Sequence, residues 1–162
     1  MLINQTAAAF EKKFTKKQRI AIVRTNYHTG LVDNLEAFAR ATLITAGVNE
    51  KNIKTFTVPG SWEVPLIVKQ VAQTKKFDAI LAFGVIVKGE TFHFELIANE
   101  TASALMQMSI DYNIPVTFEI LAVADISHAQ ARAGHDTNNK GIEAANAALQ
   151  TLLTLKTLVK KI

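Results

Sequence analysis

Apolar residues recur along this chain at two alternating periods, and the switches between them outline a series of strands and helices. Residues 19–24 form a short, largely apolar run that reads as a first strand, with residues 25–30 as the loop after it. Leu31, Leu35, Phe38, Ala39 and Leu43 then follow at helical spacing, and Gly47 stops that helix. Residues 53–58 alternate as an edge strand does and end at the Pro59-Gly60 turn. Ser61 is placed to cap a helix carrying Trp62, Glu63, Leu66, Ile67 and Val71, in which Pro65 is tolerated because it lies in the first turn.

Residues 79–87 carry no charged or polar side chain, which predicts a strand covered on both faces, as in a parallel sheet. Phe94, Ile97, Thr101, Ala104, Leu105 and Met108 mark the next helix, which must end before Pro115. Residues 116–123 read as a fourth strand. Asp125 or Ser127 then caps a short helix that Gly134 ends, and a polar loop over residues 135–140 leads into a last helix with Ile142, Ala145, Leu149, Leu152 and Leu153 facing inward. Residues 1–17 read as a polar arm with helical character over residues 7–14. Neither a repeat nor a linker interrupts residues 18–162, so one α/β domain is expected there. Alternating strands and helices predict a single parallel sheet with helices on both faces. Ligands in such folds bind outside the carboxyl ends of the strands. That rule selects residues 25–30, 60–63, 88–93 and the region beyond the fourth strand.

Composition narrows the chemistry. With 162 residues and 49% hydrophobic content the chain can bury a core of its own. There is no cysteine, which removes disulfides, thiolate catalysis and cysteine-zinc sites, and fits a reducing compartment. The first 18 residues lack the apolar core of a secretory signal, and no apolar run approaches the roughly 20 residues that span a bilayer. A soluble, cytoplasmic protein is expected, with no membrane partner. The net charge is +4, but Lys12, Lys13, Lys16 and Lys17 cluster at one end and Lys156, Lys160 and Lys161 at the other, without interleaved aromatics. Solvated termini account for these better than a nucleic-acid groove.

The segment from Gly89 to Phe94 stands out at the end of the third strand. A strand that re-enters as a helix leaves free backbone N–H groups, a natural anion site, and here Thr91 and His93 sit beside them. That suits an enzyme acting on a phosphorylated substrate near neutral pH; an ordinary strand-to-helix turn with a surface histidine is the alternative. Gly84 and Gly89 have the glycine spacing of a nucleotide-binding Walker loop, but Glu90 stands where the lysine must be. No G-x-G-x-x-G follows the first strand and no G-x-S-x-G elbow exists. His28, His93, His128 and His135 lack paired helical spacing, so no metal site is expected. Ser61, Glu63, Thr91, His93, Arg132 and Lys140 remain as polar groups near strand ends. Taken singly, Glu63 is an exposed helix-start carboxylate, Trp62 a core residue, and Arg132 and Lys140 solvated charges.

Taken together, these segments resemble the lumazine synthase family over roughly residues 18–155. Val58-Pro59-Gly60-Ser61-Trp62-Glu63-Val64-Pro65 is similar to the family's ribityl-binding turn. Gly84-Val85-Ile86-Val87-Lys88-Gly89-Glu90-Thr91-Phe92-His93-Phe94 is similar to its catalytic segment. Arg132-Ala133-Gly134 followed by Asn139-Lys140-Gly141 matches its phosphate-binding arginine and the lysine beyond. The fold this implies is a three-layer α/β/α sandwich, flavodoxin-like, with a four-stranded parallel sheet in the order 2-1-3-4.

The activity implied is condensation of 5-amino-6-(D-ribitylamino)uracil with 3,4-dihydroxy-2-butanone 4-phosphate to 6,7-dimethyl-8-ribityllumazine, phosphate and water. No cofactor is implied, because the diamine is itself the nucleophile and the protein need only align substrates, hold a phosphate and move protons. By position, Tyr27 would stack on the pyrimidine, Ser61, Trp62 and Glu63 would bind the ribityl chain and ring, and Val85, Ile86 and Val87 would contact the ring through backbone groups. Glu90 and Thr91 would bind the phosphate and His93 would shuttle protons. Phe118, Arg132 and Lys140 would arrive from a neighbouring subunit, because family members place the site at the interface of a pentameric ring. Functional association with riboflavin synthase follows from the same pathway.

Three positions depart from the family's commonest pattern: Tyr27-His28 at the aromatic pair, Glu90 for a small residue, and Ala131 for a glutamate before the arginine. A carboxylate aimed at a phosphate repels it, so Glu90 is expected to contribute backbone alone. Two other readings of the same residues are a non-catalytic binding or shell protein of this fold and a flavodoxin-like redox module.

Overall fold

The computed structural model describes residues 17–159. The helical segment expected over residues 7–14, and Lys160 and Lys161, lie outside the described residues. Four parallel strands, β1 (Ile20–Thr25), β2 (Ile53–Val58), β3 (Ala79–Val87) and β4 (Val116–Val123), form one sheet in the order β2-β1-β3-β4. Ile20 lies beside Ile53 on one side and Ala79 on the other, and Val87 lies beside Val123. All carboxyl ends therefore emerge on one rim. The central strands β1 and β3 are the most apolar, and the alternating β2 is an edge, as its pattern predicts.

Among the described residues, five α-helices cover the sheet: α1 (Thr29–Thr45), α2 (Val64–Gln73), α3 (His93–Asp111), α4 (Ile126–Arg132) and α5 (Lys140–Val159). Alternate side chains of the central strands enter two separate cores. Ile20, Ile22, Leu81 and Phe83 pack with Leu35 and Leu43 of α1 and Leu149 of α5. Ala21, Val23, Ile80 and Ala82 pack with Val64 and Val68 of α2 and Leu105 of α3. The result is the expected three-layer sandwich. Helices α1 and α5 come close enough that a Cβ on Gly141 would stand 2.0 Å from the Leu35 carbonyl oxygen.

The edge strand β2 is tied to its neighbours through Glu36. Its carboxylate accepts from Arg24 (3.1 Å), Arg40 (2.8 Å) and the Thr55 hydroxyl (2.5 Å). Burial opposes ionisation there, but these hydrogen bonds outweigh it and hold the carboxyl below its usual range.

Several local expectations change. Strand β1 begins one residue later, because Arg19 and Asp78 bond to each other: Arg19 N–H to the Asp78 carboxylate (2.7 Å), and Asp78 N–H to the Arg19 carbonyl (2.8 Å). Ser61 does not cap a helix. Residues Ser61–Glu63 form a short 3-10 turn, and α2 starts only at Val64 with Pro65 in its first turn. The Glu63 carboxylate reaches back to the Gly60 N–H (3.0 Å), so the turn is closed by Glu63 in place of the serine. That turn rotates Trp62 to the surface, and Leu66 is likewise exposed instead of core. Lys140, expected in a loop, is the first residue of α5. Asp125 caps α4, accepting from Ser127 N–H at 2.8 Å.

Candidate active site

Three of the four connections at the carboxyl rim stand side by side, and short contacts fix their spacing. After β1, Asn26 N–H donates to the Val58 carbonyl (2.7 Å), tying the 26–28 turn to the end of β2. His28 adopts a left-handed conformation (φ 53°) and its carbonyl accepts from Leu31 and Val32, which starts α1 and leaves Tyr27 exposed on the rim with its ring edge-on to His28. After β2, Ser61 is buried, and its carbonyl accepts the Thr101 hydroxyl of α3 at 3.3 Å.

Gly84 is the seat of this arrangement. A Cβ there would stand 3.0 Å from both Ser61 Oγ and Thr25 Cγ2. The missing side chain thus lets the Ser61 hydroxyl and the end of β1 close onto β3, and it sets the 60–63 turn beside Val85, Ile86 and Val87. Trp62 and Glu63 are exposed next to it.

After β3 the chain runs through Lys88–Phe92 into α3. Lys88 N–H donates to the Val123 carbonyl (2.9 Å), and its ammonium pairs with Glu95 at 3.1 Å, stitching the loop to the first turn of α3. The Glu95 carboxyl is held below its usual range, first by a hydrogen bond from its own backbone N–H and then by Lys88. Glu90, Thr91 and His93 are all exposed on this loop and helix start. Gly89 is not demanded by space, since a Cβ there would meet nothing within 4 Å.

The remaining expected residues lie elsewhere on the same chain. Phe118 pairs with Ala82, five residues before Val87, so it stands roughly 16 Å back from the rim at about 3.3 Å per residue. With Glu119, His128 and Arg132 it lines a cavity of about 390 Å³ along the outer edge of β4. Arg132 donates to the His128 carbonyl (3.1 Å) at the end of α4. Lys140 contacts the Glu143 carboxylate one turn on. One copy of the chain therefore sets Tyr27, Ser61–Glu63, Val85–Val87, Glu90, Thr91 and His93 on the rim, whereas Phe118 stands back from it and shares the β4-edge cavity with Arg132.

The loop between Arg132 and Lys140 is held by Asn139, which is almost wholly buried. Its amide donates to the Gly134 carbonyl (2.7 Å) and its oxygen accepts the Gly141 N–H (2.8 Å). Glu119 is a residue that sequence reasoning passed over. Burial and then the nearby Glu143 push its carboxyl up to about 7, against the pull of Lys140. Its sequence signal is a lone acid in a strand whose other residues, Thr117 apart, are apolar.

The amino-acid sequence that builds this rim is similar to that of a known family. The family model for 6,7-dimethyl-8-ribityllumazine synthase matches residues 17–156. The chain is 39% identical over 140 residues to the 6,7-dimethyl-8-ribityllumazine synthase of Stenotrophomonas maltophilia (strain K279a), covering 86% of this chain and 90% of that protein. The chain belongs to this family. Proteins of the same name from Gemmatimonas aurantiaca (38% identical over 135 residues, 83% of this chain and 82% of the relative) and Acidovorax sp. strain JS42 (36% over 143 residues, 88% and 90%) are similar over most of their length. The family match thus spans β1 through most of α5, including every segment of the rim. Among the described residues no helix is long and apolar enough to cross a membrane, and no group of three or more His, Asp or Glu could hold a metal ion.

Proposed function

We propose that the rim of one copy and the β4 edge of a second form a lumazine synthase site. There 5-amino-6-(D-ribitylamino)uracil condenses with 3,4-dihydroxy-2-butanone 4-phosphate to give 6,7-dimethyl-8-ribityllumazine, phosphate and water, the penultimate step of riboflavin biosynthesis. The observation that carries this reading is the closure of Ser61 onto Gly84, which puts the 60–63 turn beside the strand leading into the His93 loop.

In this reading Tyr27 stacks on the pyrimidine, Ser61, Trp62 and Glu63 hold the ribityl chain, and the backbone of Val85–Val87 contacts the ring. The Thr91 hydroxyl and the N–H groups of Glu90 and Thr91 take the phosphate at the start of α3, a 19-residue helix with an open N-terminus. The Glu90 side chain is free to stay in solvent, where its charge is screened. His93 carries protons between the amine, the leaving groups and water. Phe118 then closes over the ring while Arg132 and Lys140 reach the phosphate from the adjoining copy.

The need for a second copy has independent support in exposed apolar surface. Leu96, Met106 and Ile110 of α3 are exposed, and a cavity of about 300 Å³ lies between α3 and β4, lined by Leu105, Met106, Val116 and Phe118. A homopentamer or larger ring working in the cytoplasm, its product passed to riboflavin synthase, fits these faces.

The direct test mixes the purified chain with both substrates and follows lumazine absorbance. Product is expected, with His93→Ala lowering kcat by about 10²-fold or more while the fold persists. Absence of product in the parent chain overturns the reading, and an unchanged kcat in the variant removes His93 from proton transfer.

A further inference from the structure

We propose that Glu119 is a positioning residue for the phosphate end of the substrate, acting through Lys140; this rests on the reading above. Lys140 opens α5, and its ammonium is engaged by the Glu143 carboxylate. Helix α5 packs across β4. Leu121 and Val123 point into the core that α5 shares, so Glu119, two residues before Leu121, shares that face. It is half-buried and lines the same edge cavity as Arg132.

The charged and titratable groups around Glu119 are few. α5 supplies Lys140 and Glu143, α4 supplies His128 and Arg132, β3 sets the apolar Phe83 beside it, and α3 covers the opposite face of the sheet. Two carboxylates therefore face one ammonium. With both ionised, the two carboxylates cancel Lys140 and Arg132 close to where a phosphate dianion must land. With Glu119 protonated the surroundings carry one net positive charge, and Lys140 has a single partner to leave.

The Glu119 carboxyl, raised to about 7, makes that change within the neutral range. Phosphate binding and Glu119 protonation are then linked: each favours the other by the same factor. A proton taken from solvent on binding forms the Glu119 carboxyl O–H, and it returns to solvent as phosphate leaves.

The test measures KM for the phosphorylated substrate from pH 6 to 8.5, with the diamine saturating, in the full parent chain and in Glu119→Gln. Between pH 6 and pH 8 the parent's KM is expected to rise about tenfold relative to that of the variant. KM for the diamine should show no such divergence, which a merely structural role would not arrange. On a Lys140→Met background the Glu119→Gln effect should vanish, because it runs through Lys140. Calorimetry with inorganic phosphate at pH 7, in two buffers of different ionisation enthalpy, should show less proton uptake in Glu119→Gln. Parallel pH profiles overturn the proposal, as does a divergence that survives loss of Lys140. A parent chain that forms no lumazine takes down the functional reading as well, whereas lumazine formed with parallel profiles takes down only the role of Glu119.

Discussion

Single residues decide the electrostatics of this chain, and Glu119 ties its stability to pH. Its carboxyl rises from an ordinary 4.5 to about 7 on folding, so the folded state holds a proton that the unfolded state has released between those values. The contribution is fully present below about pH 4.5 and is lost as pH rises through about 7. A shift of this size corresponds to about 3 kcal/mol at most, less any relief by solvent at the cavity. Glu119→Gln should therefore be more stable than the parent at pH 8 by about 2 kcal/mol, with the gap closing by pH 5. Urea midpoints at fixed chain concentration check this; an equal gap at both pH values refutes it. Sequence alone could not reveal this acid, because an acid in a strand reads as solvent-facing. Its burial comes from α5 returning over β4 more than twenty residues later.

At the scale of elements, two glycines in helices should respond in opposite directions to the same substitution. Gly141 lies in the first turn of α5 against the backbone of α1, where a Cβ would stand 2.0 Å from the Leu35 oxygen. Gly141→Ala should push the helices apart and cost about 2–3 kcal/mol. Gly30 lies in the first turn of α1 with nothing within 4 Å of its would-be Cβ. Gly30→Ala should instead gain up to about 1 kcal/mol from reduced unfolded-chain entropy. Denaturant midpoints at unchanged m-values check both; a Gly141→Ala chain as stable as the parent would mean the helices can separate freely.

Elements were legible in the sequence where a single rule applied. β2 and β3 have the bounds their patterns predict, because alternation and unbroken apolarity each point to one solution. The 60–63 turn was misread because two residues could cap it. Ser61 is the better cap by type, yet the Glu63 carboxylate takes the Gly60 N–H and Ser61 is drawn under Gly84. Trp62 and Leu66 are exposed for related reasons: the turn redirects Trp62, and Leu66 lies off the buried stripe of Val64, Val68 and Val71. The rim itself was legible because parallel topology puts every strand's carboxyl end on one side.

For the whole molecule, the separation of the two residue groups gives a direct test of sharing. A chain with His93→Ala keeps its β4 edge, and a chain with Arg132→Ala keeps its rim. Each alone should be nearly inactive. Equal mixtures assembled together should recover about a quarter of parental sites, the fraction of random neighbours that pair an intact rim with an intact edge. No recovery in a properly assembled mixture would place both groups in one chain's site. Activity should appear only in assemblies, so light scattering should find no active species at the 17.8 kDa mass of one chain.

The distance from Phe118 to the rim has a further consequence, one of counting. When each site needs the rim of one copy and the edge of the next, an open row of copies always leaves one rim and one edge unused. A row of two completes one site, and a row of four completes three. Closing the row recovers the last site without adding a chain. Under the proposed sharing, catalytic output per chain is highest when the row closes on itself, and a single free chain would complete no site.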